Sequence, residues 1–238
     1  ASMRKLKARI QTSSRDIYET LSSPVYWLAY PQFLKSQLIR ENQALCPKSS
    51  DYFIHSNENK MRKNCLARAM DYILLHNNET FDAATVRTIH QLICRGTDVP
   101  GGAMRTRPVD LSSLNIEVPQ FNEIYERMDN VYYTLAQPSN DPLRTALQIH
   151  YEIVSIQPFA DFNKRTARTI MNGYLIQNGL TPIFFSEPGD REMYIDAIKN
   201  KNQKSYYEQI FLEVMRRTQN NIENRLLQIA AAGRQRRK

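Results

Sequence analysis

At 238 residues with 42% apolar side chains, the chain is long enough to bury one substantial core, either as one domain or as one domain with an appended bundle. Only 7 glycines occur, among long stretches of Leu, Ile, Ala, Met, Lys, Glu, Arg and Gln. That mixture excludes a strand-rich sandwich or a Rossmann sheet as the first expectation and predicts a mainly α protein. The formal net charge of +8 suits nucleic acid, an acidic surface or a small anionic ligand, but much of it sits at the two ends, in Arg4, Lys5, Lys7 and Arg9 and in Arg234, Arg236, Arg237 and Lys238. For the last cluster a solvated tail is the simplest reading.

Cys46, Cys65 and Cys94 are an odd set without C-x-x-C spacing, so neither a disulfide framework nor a zinc site is expected and a reducing compartment fits. No apolar run approaches the ~20 residues a membrane-crossing helix needs. The expected setting is the cytoplasm, or a host cytosol for a delivered effector, with no membrane span. Residues 1–63 read as a helical N-terminal region packed on a core at 64–218, with 219–238 as a terminal helix end and basic tail.

In chain order, Leu66, Ala69, Met70, Ile73 and Leu74 recur at helical spacing and predict a helix over 64–75. A second follows Asp82 as N-cap, with Val86, Ile89, Leu92 and Ile93 inward. Pro100-Gly101-Gly102 signals a turn, and Met104 to Val109 suits a short extended ribbon, so a hairpin or flap is expected over 96–115. A helix then carries Ile124, Met128, Val131 and Leu135, and another runs from Pro142 to Ile156 with Leu147, Tyr151 and Val154 inward. Further on, Asp190 is read as the cap of a helix bearing Tyr194 and Ile198, and Ser205 with Glu208 as the capping box of a long terminal helix. His90 and His150 fall on predicted helices and read as core or half-buried histidines.

Residues 157–168, Gln-Pro-Phe-Ala-Asp-Phe-Asn-Lys-Arg-Thr-Ala-Arg, are a loop entering a helix whose inner face is Ala167, Ile170, Met171, Tyr174 and Leu175. Backbone N–H groups at such a start attract an anion, and Arg165 and Arg168, three apart, project beside them. Asn163 offers a side-chain amide, Lys164 a positive charge and Asp161 a hard oxygen ligand for Mg²⁺. The alternative is a plain helix cap with solvated arginines, and cap and phosphate cradle are compatible.

This segment resembles the signature of the Fic family, HxFx[D/E]GNGRxxR, at Phe159, Asp161, Asn163, Arg165 and Arg168. Similarity extends to Met104-Arg105-Thr106, which resembles the flap that holds a target segment, and to Arg191 to Tyr194 with Asn202, which resembles the adenine-side helix. The resemblance implies a helical Fic fold with a small β-hairpin flap over the site. It also implies transfer of AMP from ATP to a Ser, Thr or Tyr hydroxyl of a protein, with release of pyrophosphate. Asp161 would hold Mg²⁺, Asn163, Lys164, Arg165 and Arg168 would hold phosphates, and Tyr194 and Asn202 would line the adenine pocket. A protein substrate and a nucleotide are the implied partners, nucleic acid ranks well below them, and an oligomer is left open.

Three positions depart from the family pattern. Gln157 stands where the family has its general-base His, and an amide has no group that titrates near neutral pH. Phe162 and Lys164 replace the two motif glycines; Lys164 is similar to the Doc branch, which transfers phosphate, whereas Arg168 favours AMP transfer. A non-catalytic nucleotide-binding or interaction module, or use of another diphosphate-containing donor, is the alternative reading. Many Fic proteins carry an inhibitory [S/T]xxxE[G/N] helix. Ser36 to Asn42 approaches it off register, so Glu41 is either an inhibitory glutamate or an ordinary helix charge.

Overall fold

The computed structural model describes residues 2–45, 56–109 and 111–237, and of 56–64 the backbone alone. Nine α-helices span those residues: α1 (Met3–Leu21), α2 (Ala29–Leu45), α3 (Ser56–Leu75), α4 (Ala83–Cys94), α5 (Ile124–Ala136), α6 (Pro142–Ile156), α7 (Asn163–Gln177), α8 (Asp190–Lys199) and α9 (Lys204–Gln235).

The centre is α7, whose residues from Thr166 to Ile176 are all buried. It packs on α6, to which the short loop 157–162 joins it, while α3 and α4 cover its other side and α5 backs α6. Burying side chains such as Phe159 and Ile170, both fully enclosed, contributes about 1.5–3 kcal/mol each. Around this centre α1 and α9 run parallel, as the rising register of Lys7 with Glu208, Ile10 with Gln219 and Ser13 with Glu223 requires. Gln219 is wholly buried, and its amide donates to Ile10 O, Ser14 Oγ and Thr181 Oγ1, tying both helices to the extended stretch after α7. Asn172 of α7 holds that stretch from the other side: its Nδ2 donates to Ile183 O at 3.1 Å and its Oδ1 accepts from Ile183 N at 2.8 Å.

Local signals explain most of the boundaries. Asp82 caps α4 through Thr85 N at 2.9 Å, with Thr85 Oγ1 returning to Asp82 N. Asp141 caps α6 through Arg144 N, with Pro142 at the first helical position. Two caps differ from expectation. Gly189, at φ 88°, is the N-cap of α8, and Asp190 begins the helix with its carboxylate bound to Glu187 N at 2.9 Å and to Arg217. The Ser205–Glu208 box does not form: α9 starts at Lys204 without a side-chain cap, because Glu208 faces Lys7 at 3.6 Å and Arg144 at 3.8 Å.

The expected hairpin is also different. Among the described residues there is no paired strand, only the isolated antiparallel bridges Met104–Phe159 and Leu111–Ile116. The ribbon pairs with the loop after α6 instead of with itself, since Arg105 N donates to Pro158 O at 2.8 Å and Pro108 has no N–H to give to a ladder.

Gly173 allows α7 its close approach to the neighbouring layer. A Cβ there would lie 2.6 Å from Phe81 Cζ and 3.3 Å from Ile73. Overpacking costs about 1–3 kcal/mol, against a helix-propensity gain of about 1 kcal/mol. Gly173→Ala is therefore expected to lose about 1 kcal/mol in urea denaturation, and a gain in stability would contradict this packing.

Candidate functional site

A cavity of about 390 Å³ opens at the N-terminus of α7, bounded by the loop 157–162, the end of α2, Val109, the stretch 111–114 and α8. Gln157, Asp161, Asn163, Lys164, Arg165, Arg168 and Tyr194 all line it. The sequence motif and the distant α8 thus meet at one place. Asn202 does not line it: its Oδ1 accepts from Tyr151 OH at 3.1 Å. Nor do Met104, Arg105 and Thr106. Met104 is bridged to Phe159 and Thr106 is exposed, while Arg105 is buried, with Nε donating to Gln157 O at 2.6 Å and Nη2 to Pro119 O at 2.7 Å and Ile156 O at 3.3 Å. Arg105 thereby satisfies carbonyls at the end of α6.

The loop is built by two left-handed residues and one side-chain clasp. Gln157, the C-cap of α6, has φ 50°, and Phe162, the N-cap of α7, has φ 63°. Each is a conformation that favours glycine and costs a larger residue about 1–2 kcal/mol. At Phe162, the first of the two substituted glycine positions, the cost is met by enclosing the ring, over which Arg165 lies 5.1 Å from the centroid. Lys164 lies inside α7, where its backbone is helical and a side chain needs no unusual φ. Asn163 differs from expectation. Its Oδ1 accepts from Phe159 N and its Nδ2 donates to Phe159 O, both at 2.9 Å, so the amide closes the loop and is not turned to a ligand. With no side-chain cap on α7, the N–H groups of Asn163 and Lys164 have no partner within the helix.

Gln157 is folded back on its own helix, Nε2 donating to Val154 O at 2.8 Å. Asp161 is exposed and takes Phe162 N on Oδ1 at 2.7 Å. Lys164 is held below its ordinary pKa by burial and by the neighbouring Arg168.

Arg168 is 6% exposed and Glu41 of α2 is 3% exposed, so their contact is an internal ion pair: Arg168 Nε donates to Glu41 Oε1 at 3.1 Å. Glu41 Oε2 takes Phe185 N at 2.7 Å. Burial raises the Glu41 pKa, and Arg168 and the Phe185 amide oppose that rise. The Arg168 guanidinium also lies 4.9 Å from the Tyr194 ring centroid. Burial lowers the Arg168 pKa, but Tyr194 and Glu41 outweigh it and the net direction is upward.

Three neighbours named in the sequence without a binding role of their own also stand at the site. Arg191, one turn before Tyr194 on α8, lines the cavity, as does Asn42. Behind Tyr194, the fully buried His150 bonds Tyr194 OH through Nε2 at 2.8 Å and Tyr207 OH through Nδ1. Among the described residues no cluster of three or more His, Cys, Asp or Glu side chains is arranged to hold a metal. A single carboxylate such as Asp161 still fits Mg²⁺, which is commonly held by one or two carboxylates plus substrate phosphates. No helix among the described residues is long and apolar enough to cross a membrane.

Residues 80–175, from the start of α4 through the cavity loop and most of α7, match the model of the Fic/DOC family. Over this segment the chain is similar to Fic/DOC family domains. Protein adenylyltransferase Fic of Culex quinquefasciatus is 28% identical over 143 residues, covering 58% of this chain and 28% of that protein. Protein adenylyltransferase fic-1 of Caenorhabditis elegans is 25% identical over 126 residues, covering 51% and 24%. The chain thus spans about a quarter of the length of these relatives. In fold, it is similar to Fic-1 from C. elegans (residues 134–508 of that protein), with a TM-score of 0.67 at 17% identity over 96% of this chain and 75% of that one. A Fic domain-containing signalling protein of Bacteroides thetaiotaomicron gives 0.67 at 14% identity over 91% and 95%. The mainly helical Fic fold is therefore common to them.

Burial holds His150 far below its ordinary pKa of 6.5, with Arg168 adding to the depression. A base neutral in the folded state gains protons on unfolding, so its contribution is present above about pH 6.5 and is lost as pH falls below that value. The slope is about 1.4 kcal/mol per pH unit for one such group. Urea midpoints at pH 7 and pH 5 should differ accordingly, and less so in His150→Gln; an unchanged difference in that variant would exclude His150 as its source.

Proposed function

We propose that this chain binds ATP at the N-terminus of α7 and is built as a protein adenylyltransferase, held in a restrained state. The observation that carries the reading is the convergence of Lys164, Arg165, Arg168 and Arg191 with Asp161 on one helix-end cavity. That arrangement suits a polyphosphate rather than a neutral ligand. The names of the relatives support AMP as the transferred group.

In the transfer, the hydroxyl oxygen of a protein Ser, Thr or Tyr bonds to the α-phosphorus, the bond to pyrophosphate breaks, and the hydroxyl proton must leave. The α7 amides and the arginines orient the phosphates and offset their charge, which is the main protein contribution in such reactions. Mg²⁺, held by Asp161, would supply further charge compensation on the phosphate oxygens. Gln157 can accept a hydrogen bond from the incoming hydroxyl but cannot take its proton at neutral pH. Glu41 would occupy Arg168 in place of an outer phosphate, so its ion pair and ATP compete.

A second reading, a nucleotide-binding module without transfer, is favoured by the tethering of Gln157 Nε2 to Val154 O. The two are separated by incubating this chain and Gln157→His with Mg²⁺ and α-labelled ATP in a lysate. General-base assistance is worth about 10²–10⁴ in rate, so label on protein should rise by roughly that factor in Gln157→His. Nucleotide binding with no label from either form would overturn the transferase reading and leave the binding module.

A further inference from the structure

His90 of α4 is wholly buried, and both its ring nitrogens are committed to main-chain groups from two separate parts of the site. Gly102 N donates to Nδ1 at 2.8 Å, and Nε2 lies 3.0 Å from the carbonyl of Asp161. An N–H can only donate and a carbonyl can only accept, so the neutral ring protonated at Nε2 is the form that satisfies both. The Cys94 thiol, 3.2 Å from Nε2, is a secondary acceptor for the same proton. The ring plane is fixed as well, stacked on Phe159 at 3.7 Å between centroids and 8° between planes. Phe159 is the residue clasped by Asn163.

The turn reaches His90 only because it consists of glycines. A Cβ on Gly101 would lie 3.0 Å from Gln91 Cα, and one on Gly102, at φ 76°, would lie 2.9 Å from Gln91 Cγ and 3.1 Å from Arg87 O. Pro100-Gly101-Gly102 is therefore seated flat on α4, two residues before Met104 enters its bridge with Phe159.

We infer that His90 is a positioning residue that holds Asp161 and the 100–104 segment in one register, setting the carboxylate that lines the cavity against the segment bridged to Phe159. Asp161 is anchored by its own carbonyl, so its side chain can serve an ion while its backbone stays still. The inference rests on the nucleotide reading for what Asp161 holds, but the coupling itself is a property of the apo protein.

Two substitutions separate the links, because an Asn amide overlaps Nδ1 of a histidine and a Gln amide overlaps Nε2. Nitrogen-15 spectra of the whole chain should find His90 protonated at Nε2. In His90→Asn, exchange at Gly102 N–H should stay slow while that at Phe162 N–H, which donates to Asp161, quickens roughly tenfold. The Mg²⁺ concentration needed for ATP binding, read by calorimetry, should rise about tenfold in the same variant. In His90→Gln the pattern should reverse, Gly102 exchanging roughly tenfold faster with the Mg²⁺ requirement within about twofold of the parent. A ring protonated at Nδ1, or equal changes at both amides in both variants, overturns the inference. If the parent chain binds no Mg·ATP, the nucleotide reading fails, and the tautomer and exchange results still decide the role of His90.

Discussion

An arginine enclosed to 6% exposure must have its charge met, and in this protein Arg168 meets it with a carboxylate from a helix 127 residues away in sequence. Removing two charges from water costs several kcal/mol each, and a buried pair offsets that only when its remaining lone pairs and protons are bonded too. Here they are. Glu41 spends its second oxygen on the Phe185 amide, and Arg168 turns its face to the Tyr194 ring. Several elements are arranged to make this arrangement available: α2 brings Glu41, Asn172 pins the stretch that presents Phe185, and α8 brings Tyr194, which His150 fixes from behind. The same guanidinium is the most buried of the positive charges lining the cavity, and on the ATP reading proposed above Glu41 and an outer phosphate compete for it.

The motif loop has a complementary economy. Its amides and charges can serve a ligand because Asn163, Arg105 and His90 absorb the loop's own polar demands: Asn163 clasps Phe159, Arg105 takes the carbonyls at the end of α6, and His90 takes that of Asp161. Each of these side chains looks like a ligand-binding group when only its type is considered. Each instead keeps a short, partly left-handed loop from collapsing.

The helical spacing of Val86, Ile89 and Ile93, the cap at Asp82 and the Pro142 start made α4 and α6 legible from sequence, since each depends on neighbours within a few residues. The cluster from Gln157 to Arg168 was legible for the same reason. What sequence could not give was long-range partnership. The off-register stretch at Ser36 left Glu41 ambiguous; its pairing becomes visible only when α2 is packed on α8 and α9. Ser205 and Glu208 have the spacing of a capping box, but Lys7 and Arg144 approach from α1 and α6 and draw the carboxylate away. Asn202 follows Tyr194 closely in sequence yet turns outward to Tyr151. Arg105, read as a target-facing residue, proved to be buried because α6 ends with carbonyls that need a donor.

The central claim is that Glu41 and the outer phosphates of ATP compete for Arg168. Calorimetric titration of the parent chain and of Glu41→Ala with Mg·ATP and, separately, with AMP tests it most directly. Competition predicts that Glu41→Ala binds ATP at least about tenfold more tightly, as expected where a charge-assisted contact is released to the ligand, while AMP affinity stays nearly unchanged. Equal ATP affinity in a folded Glu41→Ala, or an equal gain for AMP, would contradict it and reduce the ion pair to a structural contact.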